Sequence, residues 1–418
     1  MKSEFGNRHS NSSRLYYVFT LFALIIGGLT SLSAEARMEY ALKHQTSTCM
    51  GCHVSPFGGG PRNIDGKMYG SRHSSWPSQL SQQSWVSADV RSMAYYPKNG
   101  TSTRQGLALM TSTASVALPV KEDPLGSKLM AVGAYSFGVV LTGPREIYGQ
   151  WQSAPLVERP FIIQFGRFNA PFGLLTDEHR TFTRLLTKTG IFDYEMGASV
   201  SGDFPGQVHW DLAFTNGLAS GGNFNSNSPA NEDSTQAGFA NLRWMPPFLP
   251  IVLGGSAGYH DRLPQYRDPF ALAVYGGVSL DRLTGNLVGG SILAEGVYAE
   301  HWSDADLNGN IGRYFISSSD TVYTDAVRNA PTVAWNVLFN LDLADSFVAQ
   351  YKLESLTFDP SYSGDRYLRH GLGLKGYIDS NIITQLRYEW ADIGQADVKN
   401  TNVYAAQDAF WLLVQLWL

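Results

Sequence analysis

The chain ends on Asp408–Leu418, whose sequence is DAFWLLVQLWL. Its alternate positions carry large apolar side chains, namely Phe410, Leu412, Val414, Leu416 and Leu418. The positions between them hold Trp411, Leu413, Gln415 and Trp417. A soluble sheet with such a stretch at a free end would be prone to aggregation, whereas the closing strand of a transmembrane β-barrel turns these residues towards lipid. The C-terminus therefore predicts a lipid-facing barrel strand.

The composition of the chain points to the same class of fold. Charged residues make up 16% of the sequence, aromatic residues 13%, and there are 42 glycines. Soluble domains carry roughly 25% charged residues. Beyond residue 36 no segment reaches the roughly 18 consecutive apolar residues of a membrane-spanning helix, so an all-β membrane barrel is favoured. The net charge of −5 and the lack of a basic tract argue against a nucleic-acid partner.

Similar alternating segments recur along the chain, and many approach the roughly 9–11 residues that a tilted membrane strand needs. They are Trp85–Tyr96, Gly106–Ala117, Lys128–Leu141, Arg145–Gln152, Pro160–Phe168, Val208–Asn216, Ala237–Met245, Ile251–His260, Ala271–Ser279, Leu287–Trp302, Val333–Leu341, Phe347–Leu356, Tyr367–Tyr377 and Ile382–Trp390. We predict an antiparallel transmembrane β-barrel of about 16 strands, with 14 or 18 as alternatives. A pair of soluble β-sandwiches is the competing interpretation, although strands this long are rarer there.

Longer polar stretches interrupt this rhythm. Gly217–Gln236 and Ser303–Ala330 are predicted to be extracellular loops. Ala170–Gly197 mixes apolar pairs with several charges, and we expect it to fold inward or to form a short helix.

The N-terminus has the pattern of a secretory signal peptide over residues 1–36. Three basic residues, Lys2, Arg8 and Arg14, precede an apolar run over 16–28, and Ala34–Ala36 gives a small-residue cleavage pattern. An uncleaved membrane anchor is the alternative, but the apolar run is short for a spanning helix.

The motif C-x-x-C-H occurs at Cys49–His53. It is the attachment signature of c-type haem, in which two thiols bond to the haem and the histidine ligates its iron. Cys49 and Cys52 are the only cysteines in the chain. A disulfide between them or a metal site is the alternative, but no βαβ pattern of a redox C-x-x-C motif surrounds them. We predict one covalent haem c, with His53 as the proximal iron ligand.

The distal iron ligand is left open by the sequence. Met68, His73 and His44 are the candidates, and an open coordination position is a further alternative. A Met/His pair would raise the reduction potential of the haem, whereas two histidines would lower it.

A haem-binding segment over 37–79 is too short to build a core of its own. Pro56–Pro61 contains three consecutive glycines, which permit close approach of the backbone to a ligand. We therefore expect the segment to plug the barrel lumen or to cap its periplasmic mouth, and a segment hanging free in the periplasm is the alternative. The chain then divides into a signal peptide (1–36), a haem-binding segment (37–79) and a barrel (80–418).

The order of these parts resembles the fused monohaem cytochrome–porins of the bacterial outer membrane, which include outer-membrane Fe(II)-oxidising cytochromes. Likeness at the level of residues is confined to Cys49–His53 and the residues that follow as far as Asn63. The resemblance implies electron transfer across the outer membrane, with lipid around the barrel and periplasmic c-type cytochromes or other soluble redox carriers as partners. Extracellular Fe(II), or another extracellular electron donor or acceptor, is a further implied partner.

A second resemblance concerns Gly166–Leu174, whose sequence GRFNAPFGL is similar to the GRF-x-x-PFGL stretch of phosphate-selective-porin-like barrels. It implies, as the alternative function, a diffusion porin for small anionic solutes whose haem segment acts as a gate, sensor or docking element. Arg167, Arg180 and Arg184 would then line a constriction, unless they are ordinary loop charges. A soluble periplasmic haem enzyme is the third hypothesis.

Overall fold

The computed structural model describes residues 38, 41–42, 45–58, 61–63, 86–97, 106–137, 142–154, 161–174, 181–187, 189–190, 193–216, 236–261, 270–300, 331–344, 346–357, 360, 366–379, 382–393 and 408–417. The predicted signal peptide lies outside these residues. The predicted loop Ser303–Ala330 and nearly all of Gly217–Gln236 also lie outside them.

The chain forms a closed antiparallel β-barrel of 16 strands, which confirms the predicted fold class and strand number. The strands are β1 (Val86–Pro97), β2 (Gly106–Glu122), β3 (Lys128–Phe137), β4 (Thr142–Gln152), β5 (Phe161–Asn169), β6 (Tyr194–Phe204), β7 (Val208–Thr215), β8 (Gln236–Trp244), β9 (Ile251–Asp261), β10 (Phe270–Ser279), β11 (Gly290–Glu300), β12 (Thr332–Ala344), β13 (Phe347–Thr357), β14 (Arg366–Asp379), β15 (Ile382–Ile393) and β16 (Ala409–Trp417). Two short helices, α1 (Phe182–Thr187) and α2 (Leu280–Leu283), lie in the connections. In the described residues no helix has the length and apolar character needed to cross a membrane.

The C-terminal strand closes the barrel. β16 pairs with β15 on one side and with β1 on the other, where Ala409 lies opposite Pro97 and Trp417 lies opposite Asp89. Gln415 is 4% exposed, whereas its neighbour Leu416 on the opposite face is 43% exposed. The alternation in the C-terminal sequence therefore separates an inward face from an outward face.

The same alternation runs through the other strands. In β10, Ala273 and Tyr275 are each 4% exposed, whereas Val274 between them is 71% exposed. The buried inward positions include polar and charged side chains such as Gln164 and Glu354. A barrel with an apolar exterior and a polar interior is the arrangement of transmembrane β-barrels.

One strand, β6, is missing from the sequence prediction, which places its first residues in the loop Ala170–Gly197. Its alternation is weak, because the inward residues Ser199 and Ser201 are small and polar and Ala198, which precedes them on the opposite face, is small as well. A Cβ atom at Gly197 would overlap the backbone of the neighbouring strand at Phe214. Close approach between β6 and β7 therefore requires the glycine that makes the strand hard to recognise.

The connections distinguish the two ends of the barrel. Connections after even-numbered strands are short, for example 205–207 and 345–346, and the N-terminal segment joins β1 at this end. Connections after odd-numbered strands include the long stretches 170–193, 216–235 and 301–331. We call these the short-loop end and the long-loop end.

The outward face gives a first test of this architecture. Val274→Arg, at the centre of β10, is expected to destabilise the barrel in lipid by about 2–4 kcal/mol, because the charge would lie near the bilayer midplane. The matched control Phe270→Arg, at the end of the same strand, is expected to cost about 0–1 kcal/mol. Urea unfolding in lipid vesicles measures both, and equal effects of the two substitutions would contradict the membrane placement of β10.

Candidate functional site

The C-x-x-C-H motif forms a tight turn. Cys49–Gly51 is a single turn of 3₁₀ helix, and the Thr48 side chain caps it by accepting a hydrogen bond from the Met50 amide. The backbone amides of Cys52 and His53 both donate to the Cys49 carbonyl, at 3.1 and 3.0 Å. The turn therefore holds the two cysteines and the histidine together on a short piece of backbone.

A second strand-like piece of chain supports this turn. His53 and Arg62 form an antiparallel β-bridge, and the Asn63 amide donates to the Cys52 carbonyl at 3.0 Å. The Asn63 side chain also donates to the Met50 carbonyl at 2.6 Å. Between the two pieces Gly58 has a φ of 82°, a conformation that glycine adopts without strain. The fold of the turn thus depends on residues that follow the motif.

Polar contacts join this segment to the inner wall of the barrel. The Gln150 side-chain amide donates to the Val54 carbonyl at 3.0 Å. The Gln164 amide donates to the Gln150 carbonyl oxygen at 2.9 Å, and the Ser199 hydroxyl donates to Gln164 at 3.1 Å. A chain of hydrogen bonds across β4, β5 and β6 therefore orients the side chain that binds the segment.

Apolar contacts complete this packing. The rings of Phe57 and Phe168 lie 6.1 Å apart between centroids, and both side chains belong to the main buried cluster of the barrel. Further towards the N-terminus, Leu42 packs with the inward side chains Val252 and Leu293. Gln150, Val252 and Leu293 lie near the short-loop ends of their strands, whereas Phe168 lies near the long-loop end of β5. The segment therefore makes most of these contacts in the half of the lumen nearer the short-loop end.

The connection between β5 and β6 enters the lumen from the opposite end. It contains α1, and the side chain of Arg184 in α1 forms an ion pair with Glu295 of β11. The Glu295 carboxylate also accepts hydrogen bonds from the Leu174 amide and the Thr183 hydroxyl, each at 2.8 Å. Burial lowers the pKa of the Arg184 guanidinium to about 9, which leaves it charged at neutral pH. The predicted inward fold and short helix therefore both occur.

The start of this connection has no room for a side chain at one position. Gly173 has a φ of +66°, and a Cβ atom there would overlap the Arg184 guanidinium and the Glu295 carboxylate. The Gly173 amide donates to the Ser256 hydroxyl at 2.9 Å. The second glycine of the GRFNAPFGL stretch, Gly173, is thus required by the ion pair that anchors the connection.

A cluster of paired charges lines the wall formed by β13, β14 and β15. Glu354 accepts from Arg369 and lies 3.1 Å from the Lys352 ammonium group, which is also 3.4 Å from Glu389. Arg387 pairs with Glu389 at 3.5 Å. The Arg369 guanidinium stacks 4.3 Å above the ring of Phe182, the first residue of α1. This wall therefore also holds the inward connection.

A second polar chain lies on the opposite wall, in β6–β10. The two ring nitrogens of His209 lie 2.8 Å from Asp203 and 2.9 Å from Asp211. Both carboxylates are therefore placed to accept a hydrogen bond from a protonated His209 ring. Asp211 also accepts from the Asn241 amide at 2.9 Å, and Asn241 in turn accepts from the Tyr275 hydroxyl at 2.6 Å.

A cavity lies where the segment, the inward connection and this second wall meet. Its empty volume is about 540 Å³, including space open to solvent. The residues that matter most for its chemistry are Cys49, Phe57, Phe172, Asp211, Asn241 and Arg243. The Arg243 guanidinium lies 3.7 Å from the Cys49 sulfur. Aromatic rings, a thiol and a buried cation thus face one space.

The structure separates the predicted site residues into two groups. Cys49, Cys52 and His53 lie on one turn within the lumen, and His53 is 6% exposed. The candidate distal ligands Met68, His73 and His44 lie outside the described residues, as does Arg180.

The two described arginines of the predicted constriction are both buried. Arg184 is held by Glu295, and the Arg167 guanidinium lies 5.7 Å from the Tyr194 ring. Neither arginine is an exposed loop charge. Sequence reasoning did not identify Arg243, Asp211, Glu295 or Glu354, although each is a charged residue on the inward face of an alternating strand.

Solved structures with the same architecture are outer-membrane porins. The outer-membrane channel DcaP of Acinetobacter baumannii superposes with a TM-score of 0.54 and 10% identity, covering 80% of this chain and 96% of that one. Salmonella typhi OmpF superposes with a TM-score of 0.54 and 10% identity, covering 80% of this chain and 97% of that one. An anion-selective porin from Comamonas acidovorans superposes with a TM-score of 0.52 and 9% identity, covering 80% of this chain and 98% of that one. The chain therefore has the fold of a 16-strand porin.

No protein family and no curated protein matches the chain at the level of sequence. The likeness to porins is one of fold.

Proposed function

We propose that this chain is an outer-membrane channel of the porin type whose N-terminal segment occupies part of the lumen as a gate. The observation that carries the proposal is the closed 16-strand barrel with a polar interior, into which one long connection folds. Barrels of about 16–18 strands leave an aqueous channel when nothing fills them. The porin neighbours support this function and an outer-membrane location.

Small anions are the proposed solutes. The wall formed by β13–β15 carries the inward cations Lys352, Arg369, Lys375 and Arg387 against two carboxylates, Glu354 and Glu389. An excess of positive charge along one wall raises the local concentration of anions in a narrow pore. The paired carboxylates fix the positions of three of these cations.

Conductance in a planar lipid bilayer tests the channel. The full chain is expected to conduct weakly, and deletion of residues 38–63 is expected to raise the single-channel conductance several-fold because it clears one half of the lumen. Phe57→Asp provides a milder variant, since it opposes burial of the segment against Phe168. Folded barrels that remain closed to ions after both changes would contradict a gated channel.

A second function, electron transfer through one covalent haem c, is favoured by a separate observation: Cys49 faces the cavity described above. The residues present fit such a group, because Phe57 and Phe172 offer apolar surfaces beside Cys49 and because Cys52 and His53 lie on the same turn as Cys49. Cys49 and Cys52 would hold the haem covalently and His53 would ligate its iron, with the distal ligand drawn from Met68, His73 or His44. A bound haem would supply a one-electron carrier.

The chain's own residues would give this carrier its surroundings. The wall would exclude lipid, the segment would position the haem in the half of the lumen nearer the short-loop end, and Gln150 would fix the segment through Val54. Periplasmic c-type cytochromes or other soluble redox carriers are the proposed partners at that end. Extracellular Fe(II), or another extracellular donor or acceptor, is the proposed partner at the long-loop end.

A reduced-minus-oxidised spectrum of outer membranes tests this second function. Cells that express the chain with the haem c maturation machinery are expected to show a haem c band in the outer-membrane fraction. Reduction of that band by Fe(II) added to intact cells would support outward-facing iron oxidation. A haem c band that Fe(II) does not reduce would exclude Fe(II) as the donor and leave the proposal of electron transfer with another donor.

A further inference from the structure

Arg243 differs from four other cations that face the lumen. Arg184, Arg369, Lys352 and Arg387 each lie within about 4 Å of a carboxylate oxygen. Within the described residues Arg243 has no such ion pair, although it is only 4% exposed. Its guanidinium contacts the Cys49 sulfur and the Tyr275 hydroxyl, and its Nε atom is buried with no hydrogen-bond acceptor in the described part of the chain.

The nearest carboxylate is already engaged. Asp211 lies 2.9 Å from His209 and accepts a hydrogen bond from Asn241. His209 has a carboxylate at each ring nitrogen, Asp203 at one and Asp211 at the other, whereas Arg243 has no carboxylate oxygen within about 4 Å in the described residues. A buried charge without a partner is strongly unfavourable, so a ligand anion would complete the site.

We propose that Arg243 forms a carboxylate-binding subsite in the cavity beside Cys49. A guanidinium binds a carboxylate through charge-assisted hydrogen bonds and is suited to hold it in a fixed orientation. The carboxylate is that of a small solute within the channel, so this subsite rests on the first proposed function.

Calorimetric titration with sodium succinate tests the subsite on the full chain expressed without haem maturation. It compares the wild type with Arg243→Gln, with Arg243→Lys and with the control Arg282→Gln, a substitution at an exposed residue of α2. Heat-modifiable migration on gels first establishes that each full-length barrel is folded.

Binding by the wild type is expected to weaken at least tenfold in Arg243→Gln, less in Arg243→Lys, which keeps the charge, and not at all in Arg282→Gln. Succinate binding that is equal in folded wild type and Arg243→Gln, or absent from the folded wild type, would overturn the subsite. Single-channel conductance of the same proteins reports separately on the proposed channel, since a barrel that conducts without binding succinate would retain the channel and lose the subsite.

Discussion

Glu295→Ala is expected to detach the inward connection from the barrel wall and to destabilise the folded protein by about 3–5 kcal/mol. The Glu295 side chain is 1% exposed and that of its partner Arg184 is fully buried. Removing the carboxylate leaves a buried cation without its partner and deprives the Leu174 amide and the Thr183 hydroxyl of their acceptor. Urea unfolding in lipid vesicles measures the loss, and limited proteolysis of the connection reports its release.

Two comparisons identify the ion pair as the cause. Glu300→Ala removes a carboxylate at the exposed end of the same strand, and its stability should stay close to wild type. The double variant Arg184→Met/Glu295→Met should recover most of the lost stability, because apolar replacement of both partners removes the unpaired buried charge. If Glu295→Ala behaved like Glu300→Ala, the ion pair would not anchor the connection.

The fold is largely predictable because most strands of a membrane barrel can be recognised from the alternation of outward apolar and inward residues in their own sequence. Asp408–Leu418 shows a period of two residues, and the structure turns Gln415 inward and Leu416 outward as that period requires. β6 is the strand that the sequence does not predict, because its own residues show little alternation. Its serines and glycines carry little hydrophobic contrast, and its position follows from close packing against β7, which the sequence of β6 does not reveal.

The site is predictable only where its residues are neighbours in sequence. Cys49, Cys52 and His53 share one turn, so their spacing alone indicates a common role. Arg184 and Glu295 are 111 residues apart, and Arg243 and Cys49 are 194 apart. Their pairing depends on which strands face each other across the lumen.

Alternation alone therefore identifies Arg243 as inward-facing and no more. Its lack of a carboxylate partner in the described residues, which suggests a ligand, becomes visible only when all the inward charges are placed together. The distinction between Arg243 and the paired Arg387 could not have been drawn from the sequence.

Replacing both Cys49 and Cys52 by alanine is expected to abolish covalent haem entirely. The thioether bonds of haem c require these thiols, and the chain contains no other cysteine. The measurement is the mass of the denatured, purified chain after expression with the maturation machinery, together with peroxidase staining for haem on a denaturing gel. Met50→Ala is the matched control, because Met50 lies between the cysteines and contributes neither a thiol nor the histidine ligand.

A substitution of His53 distinguishes covalent attachment of the haem from ligation of its iron. Its backbone amide is held by the Cys49 carbonyl at 3.0 Å, a contact that a substitution of the side chain leaves in place. His53→Met should therefore keep the cysteines in the same turn while changing the axial ligand, and the absorption spectrum and midpoint potential should shift. A wild-type chain that matures without any added haem mass would refute the assignment of Cys49–His53. Because the barrel and its inward connection rest on contacts that do not involve these three residues, that result would leave the gated channel as the function to pursue.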